Sequence, residues 1–192
     1  MLSTGFTKNS SAVDLVQFAR DTMADTLNAE LLTNTRVTAI DTTGQTLSLD
    51  GDDASQRRYS KLVLALGADV ISPPMEGDAQ EKIFSINDLA DYARFRAALD
   101  RPQARRVCVI GAGLIGCEYT NDLLNGGYEL QVVDALSTCL PTLVPETAGK
   151  AIRSSLEAAG VEFRFGTIVN GVYQEGRRRA GSPRKWRNAK CR

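Results

Sequence analysis

One stretch of the chain constrains its fold more than any other: Arg106 to Glu118, with the sequence RVCVIGAGLIGCE. Four apolar residues, beginning at Val107, lead directly into three glycines spaced as GxGxxG. This pattern predicts a buried parallel strand, a tight turn and the start of a helix. In that geometry the glycines permit the turn, let the backbone approach a pyrophosphate, and allow close packing of helix on strand. The stretch therefore predicts a phosphate-binding turn with helix N–H groups facing the phosphates.

The sequence after the glycines fits a dinucleotide-binding βαβ unit. The helix should end near Gly126, and Tyr128 to Val133 predicts a second strand that closes on Asp134. An acidic residue about 20 positions beyond the glycines accepts hydrogen bonds from the adenosine ribose in this class of fold. Because a carboxylate repels a 2′-phosphate, Asp134 favours NADH over NADPH. The alternative is an ordinary βαβ unit with a glycine-rich turn and no ligand.

Composition excludes several kinds of active site. Of the 192 residues, 43% are apolar and 24% charged, as in ordinary globular proteins. There is no histidine, which excludes Ser-His-Asp triads, Cys-His pairs and histidine metal sites. The cysteines (Cys108, Cys117, Cys139 and Cys191) form no CxxC or CxxxxC pair, so their spacing predicts neither a metal site nor a redox-active disulfide. Cys108 and Cys117 are interpreted as small buried hydrophobes.

Cysteine use, with no signal peptide or long apolar run, predicts a cytoplasmic protein without membrane association. The basic charge is concentrated at the end of the chain: residues 176–192 hold eight of the 23 Lys and Arg residues and no acid. Such a tail, with Trp186, could engage nucleic acid through phosphates and a base. A disordered tail without function is the simpler interpretation, so nucleic-acid binding is not expected.

Two parts of the chain meet at a proline-rich crossing, Pro73-Pro74. Before it, the patterns predict a hairpin from two strands, Arg36 to Asp41 and Gln45 to Leu49. A second buried strand is predicted at Tyr59 to Gly67. The remaining predictions are a loop at Met1 to Ser11, a helix at Asp14 to Leu27, a strand at Glu30 to Thr33, a helix opened by a capping box at Ser85 with Asp88 and running through Leu99, a helix at Glu146 to Ala159, and strands at Val161 to Phe165 and Thr167 to Tyr173.

Four segments, in order, resemble one family: Arg36-Val37, YSKLVLALGA at 59–68, the proline-rich crossing, and GAGLIGCE at 111–118. The chain resembles the FAD-dependent pyridine nucleotide oxidoreductases, flavoproteins that bind two dinucleotides. INDLADYARFR at 86–96 and GAGLIGCEYTNDL at 111–123 are most similar to the rubredoxin-reducing members. The similarity covers roughly residues 1–173.

The resemblance implies an α/β, Rossmann-like fold in which an FAD domain is interrupted by an NADH domain. Residues 1–72 would be part of the FAD domain, residues 73–175 an incomplete NADH domain, and residues 176–192 a basic tail. NADH would reduce FAD, which would pass single electrons to rubredoxin, a carrier that serves alkane oxidation in some bacteria. A flavin suits this conversion because it accepts a hydride and releases electrons singly. Related reductases serve other small iron-sulfur proteins, so the acceptor stays open.

For the nicotinamide nucleotide, the resemblance implies that Gly111, Gly113 and Gly116 hold the NADH pyrophosphate and that Asp134 holds its ribose. Glu118 matches a family acid that lies near the flavin, on the nicotinamide side. The alternative for Glu118 is a first-turn acid favoured by the helix dipole. No residue is assigned a catalytic or metal-binding role.

For the flavin, Val37 matches a strand residue whose backbone meets the FAD adenine. Ala65 and Gly67 match the end of a strand that passes close to FAD. The alternative for these three residues is ordinary strand packing.

Several family features are missing from the sequence. It lacks the first GxGxxG, which holds FAD, a segment with a lysine partner for Glu118, and a later FAD segment ending in Gly-Asp. From about residue 176 it resembles nothing in the family. We therefore expect a fragment cut at both ends, with weak or absent flavin binding. The second functional hypothesis is a non-catalytic module that binds NADH.

Overall fold

The computed structural model describes residues 2–52, 54–101 and 105–174. Two three-stranded sheets, with helices against one of them, give the α/β class that the sequence predicts. The helices are α1 (Thr4–Thr7), α2 (Arg20–Leu27), α3 (Leu89–Leu99), α4 (Leu114–Asn125) and α5 (Glu146–Ala158), with short 3-10 turns at Val13–Leu15 and Gln80–Lys82. The strands are β1 (Thr35–Asp41), β2 (Thr46–Gly51), β3 (Gln56–Arg58), β4 (Arg106–Ile110), β5 (Glu129–Asp134) and β6 (Glu162–Phe165).

The chain divides into two compact units. The hairpin unit is Val16–Asp69, and the parallel unit comprises the residues up to Leu15 together with those from Val70 onward. The division at residue 70 lies close to the expected domain boundary at 72. The packing of the first 15 residues with the parallel unit was not expected, because the sequence analysis placed them with residues 16–72.

The hairpin unit is built on a tight turn. β1 and β2 pair antiparallel and β3 adds to the other edge of β2. Asp41 stabilises the turn because its Oδ1 accepts hydrogen bonds from the N–H groups of Thr43 and Gly44, both at 2.9 Å. The predicted hairpin is therefore confirmed. None of the described residues between 16 and 69 is buried, so that part of the chain has no core of its own.

The predicted strand at Tyr59 to Gly67 is wrong. The segment lies in no strand, and the side chains of Val63 and Leu66 are 84% and 87% exposed. An apolar run becomes a buried parallel strand only beside other parallel strands, whereas β1, β2 and β3 are antiparallel and pair among themselves. Two further predicted strands do not form: Glu30 to Thr33 has no regular structure, and Thr167 to Tyr173 makes one isolated bridge, from Gly171 to Glu76.

The parallel unit contains the predicted βαβ arrangement. β4, β5 and β6 pair parallel in that order, with α4 and α5 as the crossover helices. Side chains alternate across a strand, so one face of the sheet carries a continuous apolar surface. Its members belong to the hydrophobic core: Val107, Val109, Leu130, Val132, Phe163 and Phe165. The predictions for β4, α4, β5, α5 and β6 are confirmed.

A second part of the core comes from the start of the chain. The sequence predicted a loop at Met1 to Ser11, but Thr4–Thr7 forms α1 and the side chain of Phe6 is 1% exposed. The Phe6 ring packs against Tyr92 and Phe95 of α3, with centroid distances of 4.8 and 5.5 Å. The Tyr92 hydroxyl also donates a hydrogen bond to the Ser10 carbonyl at 2.7 Å. These contacts attach the first residues to the parallel unit.

The predicted helix at Asp14 to Leu27 is shorter than expected. Regular α-helix begins only at Arg20, and Val13–Leu15 forms a separate 3-10 turn. The division between the two units falls directly after Leu15, which explains why one continuous helix does not span this region.

Candidate dinucleotide-binding site

The turn between β4 and α4 contains three glycines, and its own geometry requires glycine at Gly111 and Gly116. Gly111 has φ +110°, a conformation that side chains other than glycine rarely adopt. Gly113 precedes the first residue of α4, and a Cβ placed on it would meet no atom within 4 Å. A Cβ on Gly116 would lie 2.0 Å from the Gly111 carbonyl oxygen, so only glycine lets the helix lie this close to the turn.

The amino end of α4 is suited to an anion. No side chain caps it, and Cys117 is held in the first turn by an N–H bond to the Gly113 carbonyl at 2.9 Å. The N–H groups at a helix start carry a partial positive charge and bind phosphate where no side chain covers them. The space beside Gly111 and Gly113 that a Cβ would occupy is open. These residues therefore fit the pyrophosphate of a dinucleotide.

Asp134 ends β5 beside this turn. Its Oδ2 accepts the Ala112 N–H and its Oδ1 accepts the Leu136 N–H, both at 2.6 Å. The carboxylate is half-buried. Since each carboxylate oxygen has two acceptor positions, both oxygens can also accept a ribose hydroxyl. The fold thus brings Asp134 to the glycine turn, as the sequence predicts, and gives it a structural role that the sequence did not reveal.

Ala112 is the residue at which the backbone of the turn is anchored. Its N–H binds Asp134, and its carbonyl accepts the Leu140 N–H at 2.8 Å and the Cys117 thiol at 3.3 Å. Ala112 itself is fully buried. Sequence reasoning missed the contacts of Cys117 and Leu140 with Ala112, because only the fold brings these residues together.

Glu118 lies on the first turns of α4 and is half-buried. Its neighbour Tyr119 is also half-buried, and burial, with smaller contributions from nearby negative charges, raises the pKa of the Tyr119 phenol to about 12. The phenol therefore stays protonated at neutral pH. The position of Glu118 agrees both with a place beside a nicotinamide and with the simple preference of acids for a helix start.

The residues proposed for FAD all belong to the hairpin unit. Val37 lies in β1, next to a register shift, and its side chain is 49% exposed. Ala65 and Gly67 lie in the irregular segment after β3, outside the sheet, and both are exposed. The strand expected to carry Ala65 and Gly67 has not formed, so these two residues do not lie at the end of a strand as the sequence analysis expects.

A cavity of about 400 Å³ opens elsewhere in the parallel unit. It is lined by Arg106, Glu129 and Glu162, which begin their strands, and by the end of α5. Ligands of open α/β sheets bind beyond the carboxyl ends of the strands. The glycine turn and Asp134 lie at the carboxyl ends, so we take them and not this cavity as the candidate site.

The described residues contain no group of three or more side chains placed to hold a metal ion. Across the same ranges, none of the helices combines the length and the apolar character needed to cross a membrane.

The parallel sheet, the glycine turn and the terminal acid of β5 together define a nucleotide-binding α/β protein of the Rossmann type. The sequence pattern of the pyridine nucleotide-disulphide oxidoreductase family matches residues 1–185, and the chain belongs to that family.

Two curated relatives share one name. The rubredoxin-NAD(+) reductase of Alcanivorax borkumensis is 44% identical over 173 residues, which are 90% of this chain and 44% of that protein. The rubredoxin-NAD(+) reductase of Acinetobacter baylyi is 35% identical over 89% of this chain and 44% of that protein. The chain thus spans less than half the length of these relatives.

A solved structure of a covalent putidaredoxin reductase-putidaredoxin complex has a similar fold. It superimposes with a TM-score of 0.74 at 27% identity, over 88% of this chain and 40% of that chain.

Proposed function

We propose that this chain binds NADH across the glycine turn and represents the nicotinamide-binding part of an NADH-dependent flavoprotein reductase. One observation carries the binding proposal: an uncapped helix start behind an open glycine turn, with Asp134 anchored at its side. The pyrophosphate would lie on the N–H groups of α4, and the ribose hydroxyls would donate to Asp134. The proposed division into an FAD part before residue 73 and an NADH part after it agrees with the position of this turn.

The proposed electron acceptor is rubredoxin, and a role in alkane oxidation belongs to the same proposal. The support is the shared name of the two curated relatives. Another small iron-sulfur protein is the alternative acceptor, because the similar solved structure contains putidaredoxin. A cytoplasmic location also belongs to this proposal.

FAD would supply the conversion of hydride into single electrons when bound. The sequence lacks the first GxGxxG, which would hold the FAD pyrophosphate, so we derive no step through it. We therefore propose binding of NADH for this chain and reserve electron transfer for a protein with a complete FAD site. A binding module without catalysis is the second candidate function. It is favoured because the strand predicted at Tyr59 to Gly67 has not formed.

Titration of NADH fluorescence tests the binding proposal directly. We expect saturable binding by the purified chain. If no saturable change occurs, the proposed site is wrong.

We expect Asp134→Ala to weaken NADH binding about tenfold or more, because it removes charged hydrogen bonds to ribose. The substitution also frees the N–H groups of Ala112 and Leu136, so a loss of affinity alone could be structural. The preference between coenzymes separates the two causes. If Asp134 repels a 2′-phosphate, its loss weakens NADH binding more than NADPH binding. Equal losses for both coenzymes would contradict the ribose role.

Ala135→Arg is the matched variant for this test. Ala135 is exposed and follows Asp134 directly, so an arginine there adds a cation near the ribose without removing a contact of the turn. We expect tighter NADPH binding and little change for NADH.

We expect the purified chain to retain little or no FAD after incubation and desalting. The reason is that the sequence lacks the GxGxxG turn that would hold the FAD pyrophosphate, and that the strand expected to carry Ala65 and Gly67 has not formed. The absorption spectrum gives the measurement. A stoichiometric flavin band that bleaches on addition of NADH would contradict this expectation and would assign the reductase activity to this chain itself.

A further inference from the structure

Two cysteines from different elements meet behind the glycine turn. Cys117 lies on the first turn of α4 and is half-buried, whereas Cys139 lies between β5 and α5 and is fully buried. The two thiols are close enough for each to influence the pKa of the other. Both side chains belong to the hydrophobic core of the parallel unit. Sequence spacing did not pair them, because 21 residues separate them and only the fold brings them together.

One carbonyl group fixes this approach. The Ala112 oxygen accepts the Cys117 thiol at 3.3 Å, and it also accepts the N–H of Leu140, the residue directly after Cys139, at 2.8 Å. Both cysteines are therefore attached to the same peptide of the glycine turn. The backbone hydrogen bond keeps the loop of Cys139 against the start of α4.

Cys108 is on the opposite side of the sheet from this pair. A Cβ placed on Gly116 would lie 3.6 Å from Val109 Cγ1, so Val109 faces α4. Neighbouring residues of a strand point to opposite faces, which turns Cys108 away from α4 and from Cys117. Cys108 is consequently a built-in control for any oxidation of the pair.

We propose that Cys117 and Cys139 form a reversible intramolecular disulfide, and that this disulfide weakens nucleotide binding at the glycine turn. The second half of the proposal rests on the proposed binding of NADH.

The oxidant is a small disulfide such as oxidised glutathione. The Cys117 thiolate attacks one sulfur of that molecule, forms a mixed disulfide and releases one glutathione thiolate. The Cys139 thiolate then attacks the Cys117 sulfur, closes the protein disulfide and releases the second glutathione thiolate. The two cysteine protons pass through water to the released thiolates. Two protein thiols are oxidised and one small disulfide is reduced to two thiols.

Exposure decides the order of these steps. Cys117 is the accessible partner, and burial raises the pKa of the Cys139 thiol to about 12. Burial also raises the pKa of Cys117, while the nearby Cys139 thiol opposes that increase. Attack therefore begins at Cys117, and Cys139 resolves the mixed disulfide from inside the core.

The disulfide changes the contacts of Ala112. A disulfide sulfur has no hydrogen to donate, so the Ala112 carbonyl loses the Cys117 thiol and keeps only the Leu140 N–H. The N–H of the same residue, in the preceding peptide group, binds Asp134. Loss of one hydrogen bond at this anchor is expected to weaken NADH binding roughly two- to tenfold.

The test oxidises the full chain with oxidised glutathione and then digests it without reduction. Cleavage after glutamate separates the peptide of residues 82–118, which holds Cys108 and Cys117, from that of 130–146, which holds Cys139. We expect these two peptides to be linked, with the loss of two hydrogens in mass, and to separate with dithiothreitol. The link should persist in Cys108→Ser and disappear in Cys117→Ser.

A link that survives in Cys117→Ser, or glutathione adducts without any link, would overturn the disulfide. The NADH titration is then repeated on the oxidised chain before and after dithiothreitol. Weaker binding that recovers on reduction supports the second half of the proposal, and identical affinities overturn it. If the reduced chain does not bind NADH at all, the proposed function is wrong, and so is the proposed effect of the disulfide on binding. The peptide map still tests whether the disulfide forms.

Discussion

Replacing Gly116 with valine is expected to abolish NADH binding and to lower the free energy of unfolding by about 3 kcal/mol, the upper range for forced overpacking. A Cβ at this position would lie 2.0 Å from the Gly111 carbonyl oxygen. That oxygen cannot move easily, because Gly111 holds φ +110° and its N–H is bonded to the Val133 carbonyl at 2.8 Å. Either α4 moves away from β4 or the turn opens, and both changes disrupt the phosphate site. Urea unfolding followed by far-ultraviolet circular dichroism, with NADH titration, measures the two effects.

Gly113→Ala is the matched control for this substitution. Gly113 has φ −74°, which alanine adopts readily, and a Cβ there meets no atom within 4 Å. We expect stability within about 0.5 kcal/mol of the parent chain. NADH binding should still weaken strongly, because the methyl group occupies the space assigned to the pyrophosphate. Unchanged binding in Gly113→Ala would refute a pyrophosphate at this turn, and full stability in Gly116→Val would refute the close packing of α4.

Phe6→Ala is expected to destabilise the parallel unit by about 3 to 5 kcal/mol, as for other fully buried phenylalanines. The Phe6 side chain is 1% exposed and contacts three aromatic rings, those of Tyr92, Phe95 and Tyr119, at centroid distances of 4.8, 5.5 and 6.0 Å. Its loss leaves a cavity between α1, α3 and α4. Urea unfolding of the full chain gives the change in stability.

Phe18→Ala provides the comparison for this deletion. Phe18 is 56% exposed, so its removal should change the free energy of unfolding by no more than about 0.5 kcal/mol. If Phe6→Ala is as mild as Phe18→Ala, the first 15 residues do not belong to the parallel unit. The larger effect at Phe6 would instead establish that the start of the chain supports the nucleotide-binding part.

The sequence was sufficient to predict the part of the parallel unit from β4 to β6, because its signals are local and mutually consistent. In a dinucleotide-binding unit the glycines must follow a buried strand, and the acid must end the next strand. The sequence of β4 to β5 meets all of these conditions together, so few other folds are compatible with it. The amphipathic helix α5 was recognised for the same reason, with Pro145 before it and Gly160 after it.

The missed features depend on partners that local patterns do not specify. Tyr59 to Gly67 has the composition of a buried strand, but composition does not say whether neighbouring strands are present to cover it. The burial of Phe6 was missed for a different reason. The helix that carries it has only four residues, which are too few to show a periodic pattern in the sequence. The contact of Cys117 with Cys139 is invisible in the sequence because the Ala112 carbonyl creates it.

The irregular segment after β3 has a consequence for how the protein behaves in solution. Val63, Leu64 and Leu66 present apolar side chains to water along an extended stretch, the kind of surface to which another chain adds a strand. We expect self-association at high concentration to involve this segment. These three residues belong to the hairpin unit, so a polar substitution there can lower self-association without removing a contact of the glycine turn.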